Sequence, residues 1–206
     1  LGSTYFKRNS GMSAKFVARA LSFTLAKGVV ALKGARKRPW LEIVRPETER
    51  TYLDHQLRSL RKLHDGPIDA VWDTIATDGF YDKERVRLHG DGMWRVHELR
   101  CPHDQPLITR EALDVCGVQG LAALWVDTGR FMGRRGRING RFKREEYVTL
   151  AEWITDLGFK ASPHGDGNGY FEIILGRESL AAMINEIRPY VHVSMKNKLC
   201  KYRFKM

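Results

Sequence analysis

The chain has 206 residues, 43% of them hydrophobic and 29% charged, which is enough to bury a substantial core. Its net charge is +11, and no window approaches the ~20 uninterrupted apolar residues of a membrane span, so a membrane partner is not expected. Three cysteines, Cys101, Cys116 and Cys200, without CxxC spacing argue against a disulfide framework or a zinc site and for a reducing compartment.

The positive charge is segregated. Residues 1–41 carry nine Lys/Arg and no acid, 130–144 carry seven and no acid, and 195–206 carry five, so the remainder is net acidic. This pattern fits a polyanion footprint better than a set of solvated loops, and nucleic acid better than a lipid surface. The candidate contacts are Lys33, Arg36, Lys37, Arg38, Arg130, Arg134, Arg135, Arg137, Arg141, Lys143, Lys196 and Lys198. The 130–144 segment has six arginines to one lysine, which suits bidentate phosphate gripping.

In chain order, Ala14–Gly28 has apolar residues at helical spacing and a closing glycine. Two short β-rich runs in 29–44 follow, then a helix over Glu49–Leu63 with Tyr52, Leu53, Leu57 and Leu60 on one face. The stretches 72–90 and Gly92–Leu99 read as strands joined by polar turns. A loop containing Cys101 and His103 leads into a helix over Ile108–Val115, and Val118–Gly129 forms the next helix, again closed by glycine. Two short runs around glycine, a helix over Glu145–Leu157, a hairpin in 159–175 and a helix over Glu178–Ile187 complete the chain. Gly28 and Gly129 lie 101 residues apart, and similar elements follow each, so the chain reads as a duplicated helix, two strands, helix, two strands, helix unit.

Other motifs carry less. His89–Gly92 and Pro163–Gly169 lack the context and lysine of a phosphate loop and read as hairpin turns. Cys101 and His103 have no second ligand pair, and Cys116 reads as a small buried residue. Trp125 and Trp153 fall on apolar helix faces and are expected in the core, whereas Trp40, Trp94, Phe131 and Phe142 adjoin basic strands where aromatic rings can stack on bases.

The helix Leu121–Gly129, "LAALWVDTG", together with the ending Ile187–Leu199, "IRPYVHVSMKNKL", and the "RTYLDHQLRSL" helix of the first half, resembles the LAGLIDADG homing endonuclease and intron maturase family over residues 14–199. The resemblance implies an α+β fold with pseudo-two-fold symmetry, two LAGLIDADG-type helices at the centre and two antiparallel sheets forming a saddle. It implies one globular domain of two repeats, 14–105 and 106–199, with a basic tail at 200–206. In the family, the residue before each closing glycine is an acid, and the pair of acids holds the divalent ions of phosphodiester cleavage.

Here those positions are Lys27 and Thr128, and Asp127 lies one residue earlier, about 100° around the helix. The expectation is therefore a protein without catalytic residues, metal or cofactor that binds a structured organellar RNA, as a ribosomal component or an intron maturase, beside other proteins of a ribonucleoprotein. The alternative is a DNA-binding homing endonuclease, active through Asp127 or inactive. The acid-free basic N-terminus resembles an organellar transit peptide in composition, although most of it overlaps the first helix. With the family's distribution, this makes a mitochondrion the first expectation and a plastid the second; a cleaved presequence, if there is one, precedes residue 1.

Overall fold

Thr109 and Ser13 start the two long central helices by the same device, a hydroxyl that accepts a backbone N–H of the first turn (Ala112 N at 3.1 Å, Lys15 N at 3.2 Å). The computed structural model describes residues 13–33, 38–64, 66, 68–76, 82–90, 92–165, 167 and 169–200. The first half runs α1 (Ala14–Thr24), β1 (Gly28–Lys33), β2 (Arg38–Pro46), α2 (Arg50–Leu63), β3 (Asp69–Ile75), β4 (Lys83–His89) and α3 (Met93–Arg100). The second runs α4 (Arg110–Thr128), β5 (Gly129–Met132), β6 (Arg135–Ile138), α5 (Arg144–Asp156), β7 (Ala161–Gly165), β8 (Phe171–Leu175) and α6 (Arg177–Ile187). Two 3₁₀ turns, Arg188–Tyr190 and Val193–Leu199, follow α6 as a strap.

Each half forms a four-stranded antiparallel sheet in the same order, β1-β2-β4-β3 and β5-β6-β8-β7. Strand alternation decides which face is covered. Leu41, Ile43, Val86 and Leu88 of the first sheet and Ile138, Ile173 and Leu175 of the second are buried under helices, while their neighbours point to the opposite, open face. Trp125 and Trp153 are buried as expected.

Helices α1 and α4 lie side by side and run in the same direction. Ser22 meets the Cys116 thiol, and Gly120 sits where an added Cβ would come 3.2 Å from Leu25, so small residues set the close approach. Burial pushes the Cys116 thiol up to about 12, which keeps it a neutral core group.

Three readings from sequence need correction. Gly92–Leu99 is not a strand: α3 spans it, with Met93, Val96, His97 and Leu99 buried. His89–Gly92 is accordingly a strand-to-helix junction, not a hairpin turn. The separate helices expected at Ile108–Val115 and Val118–Gly129 are the two arms of α4, broken at Gly117 (φ 52°, ψ −152°). That conformation belongs to glycine, and an added Cβ there would meet nothing within 4 Å. Gly117→Ala is therefore expected to cost about 1–3 kcal/mol through backbone strain alone, read as a lowered urea midpoint; an unchanged midpoint would mean the bend can straighten.

Candidate nucleic-acid interface

The common direction of α1 and α4 brings their C-terminal ends together, and with them the two positions where the resemblance expects acids. Lys27 Nζ lies 3.2 Å from Glu49 Oε2, which lies 2.8 Å from Arg45 Nη1, which in turn lies 2.9 Å from Asp127 Oδ1. Lys27 thus begins, and Asp127 beside Thr128 ends, one ionic chain that crosses between the halves.

Arg45 is its centre. Strand parity turns it to the covered face of β2 after Leu41 and Ile43, and it is 1% exposed. Its Nε donates to Gln56 Oε1 at 2.7 Å, and its guanidinium lies 4.4 Å from the Tyr52 ring centre. Burial opposes the charge, but Asp127, Tyr52 and Glu49 together hold the Arg45 proton more tightly than water would. Burial likewise opposes ionisation of Glu49, and Lys27 and Arg45 overcome it, leaving that carboxyl below its usual range. The Tyr52 hydroxyl is pushed up to about 12, chiefly by burial.

Thr128 turns its hydroxyl back onto its own helix, donating to the Leu124 carbonyl at 2.7 Å. Asp127, only 3% exposed, faces Arg45. This donor set does not fit a divalent cation. Its two carboxylates already surround a guanidinium, and Lys27 adds a second fixed charge. Among the described residues, no group of three or more His, Cys, Asp or Glu is placed to hold a metal.

The open faces of the two sheets differ in charge. On the first, Val44, Arg85 and Asp73 form one cross-strand row, with Val29, Glu42, Arg87 and Val71 beside it. Asp73 accepts two hydrogen bonds from Arg85 (2.8 and 2.7 Å) and one from Arg87 (2.8 Å), so these cations are compensated within the face. Trp40 and His89 stack there at 5.3 Å. On the second, Arg130 pairs across strands with Arg137 and Met132 with Arg135; Glu172 meets Arg137 at 3.1 Å, and His164 lies opposite Glu172. Arg130 and Arg135 have no carboxylate partner among the described residues.

The structure thus gathers Arg130, Arg135 and Arg137 on one open face and places Arg38 at the exposed start of β2. Arg141 and Lys143 are exposed on the approach to α5. Three predicted contacts stand elsewhere. Arg134, in the β5–β6 turn, lines a 360 Å³ cavity on the helical side together with Phe131, Leu180, Ile184 and Leu199. Lys196 and Lys198 lie on the strap, which packs into the helical layer through Met195, Leu199 and a 2.8 Å hydrogen bond from Trp125 Nε1 to the Lys198 carbonyl. Lys33 is placed as backbone opposite Arg38, while Arg36, Lys37 and 201–206 lie outside the described residues.

Of the four aromatics considered for stacking on bases, Phe131 and Phe142 pack edge-on against Trp125 and Tyr147, and Trp94 is an exposed residue of the helix α3, not of a sheet. Only Trp40 lies on an open face. Sequence reasoning missed Arg45, Glu49, Arg85, Arg87 and Asp73. The signal was available in strand parity, which sets Arg45 inward and Arg85 and Arg87 outward.

No family model matches the chain, and no curated protein matches it. Solved structures do. The homing endonuclease I-WcaI bound to its DNA recognition sequence superposes with a TM-score of 0.74 at 15% identity, over 98% of this chain and 96% of that one. I-DmoI in complex with DNA and Ca gives 0.56 at 14% identity, over 84% and 89%. Full-length DUF199/WhiA from Thermatoga maritima gives 0.52 at 12% identity, over 90% of this chain and 58% of that one. The fold is the LAGLIDADG homing endonuclease fold.

Proposed function

We propose that this chain is a non-cleaving binder of double-helical nucleic acid, gripping phosphates with the arginines on the open face of its second sheet. One observation carries the reading: at the meeting point of α1 and α4, both carboxylates, Asp127 and Glu49, are held by Arg45 and Lys27. The fixed charges of Arg45 and Lys27 already neutralise these carboxylates and repel a divalent ion at the same place. The grip remains while the cutting chemistry has no footing.

DNA is the better-supported helix, since the I-WcaI and I-DmoI structures similar in fold were captured on DNA. A structured RNA, in a ribosome or an intron and in an organelle such as the mitochondrion, is the second reading. It is favoured by the replacement of both midline acids, which leaves a phosphate-binding scaffold free for a structural task. Competition between a DNA duplex and a folded RNA for the purified chain, at fixed salt, separates the two.

The decisive assay incubates the chain with supercoiled DNA and with folded RNA in Mg²⁺ or Mn²⁺. Binding without strand breakage is expected, and metal-dependent nicking lost in Asp127→Asn would overturn the reading in favour of an active endonuclease. Lys27→Asp combined with Thr128→Asp is expected to leave the chain inactive, because Arg45 still occupies the joint; efficient cutting by that double variant would show the remaining machinery intact.

A further inference from the structure

A second group of cations lies on the helical side, in the corner where α1, α2 and the C-terminal strap meet. Arg19 of α1 lies within electrostatic reach of Tyr52 of α2 and Tyr190 of the strap. Its Nε is shut off from solvent without a hydrogen-bond partner, and among the described residues no carboxylate pairs with its guanidinium. Beside it the rings of His55 and His192 stack at 4.1 Å, with Tyr52 6.3 Å from each. Lys62 adds positive charge to the corner. The carboxylate that acts on His55, Asp54, is engaged with Arg58 at 2.7 Å.

The hydrogen bonding on His192 exposes a donor. The Ser194 N–H donates to His192 Nδ1 at 3.3 Å, so Nδ1 is an acceptor and the neutral ring carries its proton on Nε2. That N–H has no acceptor among the described residues, and neither ring nitrogen of His55 has a partner there. A guanidinium, two imidazoles and a lysine thus gather at a corner where, among the described residues, no carboxylate pairs with the guanidinium. An unpaired, partly buried guanidinium is costly unless an anion completes it.

We propose that Arg19, His55 and His192 form a phosphate-binding corner, on the helical side and separate from the open sheet faces. Phosphate suits it better than a carboxylate, because three or more oxygens can accept from donors arriving off three different elements. The strap that carries His192 continues to Lys196 and Lys198, so the corner extends into a cationic track, which gives the lysines displaced from the sheets a shared role. Desolvation and then the neighbouring cations hold His55 below its usual range, and a bound anion would reverse that. The phosphate can be a free ion or monoester, or a diester from a nucleic-acid strand running along the back of the molecule.

The test uses the full chain and NMR of the histidine ring protons, titrated with inorganic phosphate and separately with a short single-stranded oligonucleotide lacking terminal phosphates. Saturable shifts of His55 and His192 are expected, with exposed His103 unmoved as an internal reference. Arg19→Met should weaken the binding about tenfold, the loss of a charge-assisted contact, with thermal stability equal or higher. His192→Gln offers an independent weakening should Arg19→Met fold poorly. Response to phosphate alone identifies a free ion or monoester as the ligand, and response to the oligonucleotide identifies a strand backbone. No saturable shift with either probe, or undiminished binding by both variants, overturns the proposal. Because neither probe is a duplex, this outcome is independent of binding at the open faces.

Discussion

Arg45→Met is expected to destabilise the chain by about 3–5 kcal/mol, the largest effect of any single substitution at the joint between the halves. The reason lies in what is left behind. Asp127 is 3% exposed and faces Arg45, so removing the guanidinium strands an ionised carboxylate in the interior. Gln56 Oε1 loses its donor as well, and the Tyr52 ring loses the cation beside it. Glu49 suffers less, since Lys27 still pairs with it and it is 21% exposed. Pairing Arg45→Met with Asp127→Leu should restore much of the loss, because both buried charges then disappear together. Urea denaturation of the four proteins in that cycle gives the coupling directly. A loss below about 1 kcal/mol for Arg45→Met would mean the ionic chain is solvated and decorates the joint without holding it.

Replacing Arg130, Arg135 and Arg137 together by glutamine is expected to lower duplex affinity about ten- to a hundredfold near physiological salt. It should also flatten the dependence of log K on log salt by about 2–3, close to 0.9 for each phosphate contact removed. The matched control replaces Arg85 and Arg87, which Asp73 already compensates, and should cost much less per residue. Glu172 shares Arg137, so Arg130 and Arg135 are expected to carry most of the change. Equal losses from both sets, or an unaltered salt slope in the triple variant, would move the footprint elsewhere.

The duplicated order of elements was legible in the sequence because two independent signals coincided: closing glycines at Gly28 and Gly129, and the same succession of short β-rich runs and an amphipathic helix after each. The first half's α3 was not. Its residues 94–97 alternate apolar and polar as a strand would, no side chain caps it, and the helical spacing of Met93, Val96 and His97 covers little more than one turn. The failure at the joint was of a different kind. Arg45 was not singled out at all, although alternation after Leu41 and Ile43 turns it inward. Charge runs were equally blind to layer. Residues 130–144 supplied both Arg135 on the open face and Arg134 in the cavity beside α6, since neighbouring residues in a strand and its turn point in opposite directions. Lys196 and Lys198 belong to a segment fastened by Met195 and Leu199, whose apolar anchors decide its place more than its lysines do.

The unequal charge of the two open faces has a geometric corollary. A target reading identically from both ends would present matching halves to surfaces that no longer match, and half of that symmetry would go unused. The chain should instead favour an asymmetric site and sit on it in one polarity, with the arginine-bearing half always over the same flank.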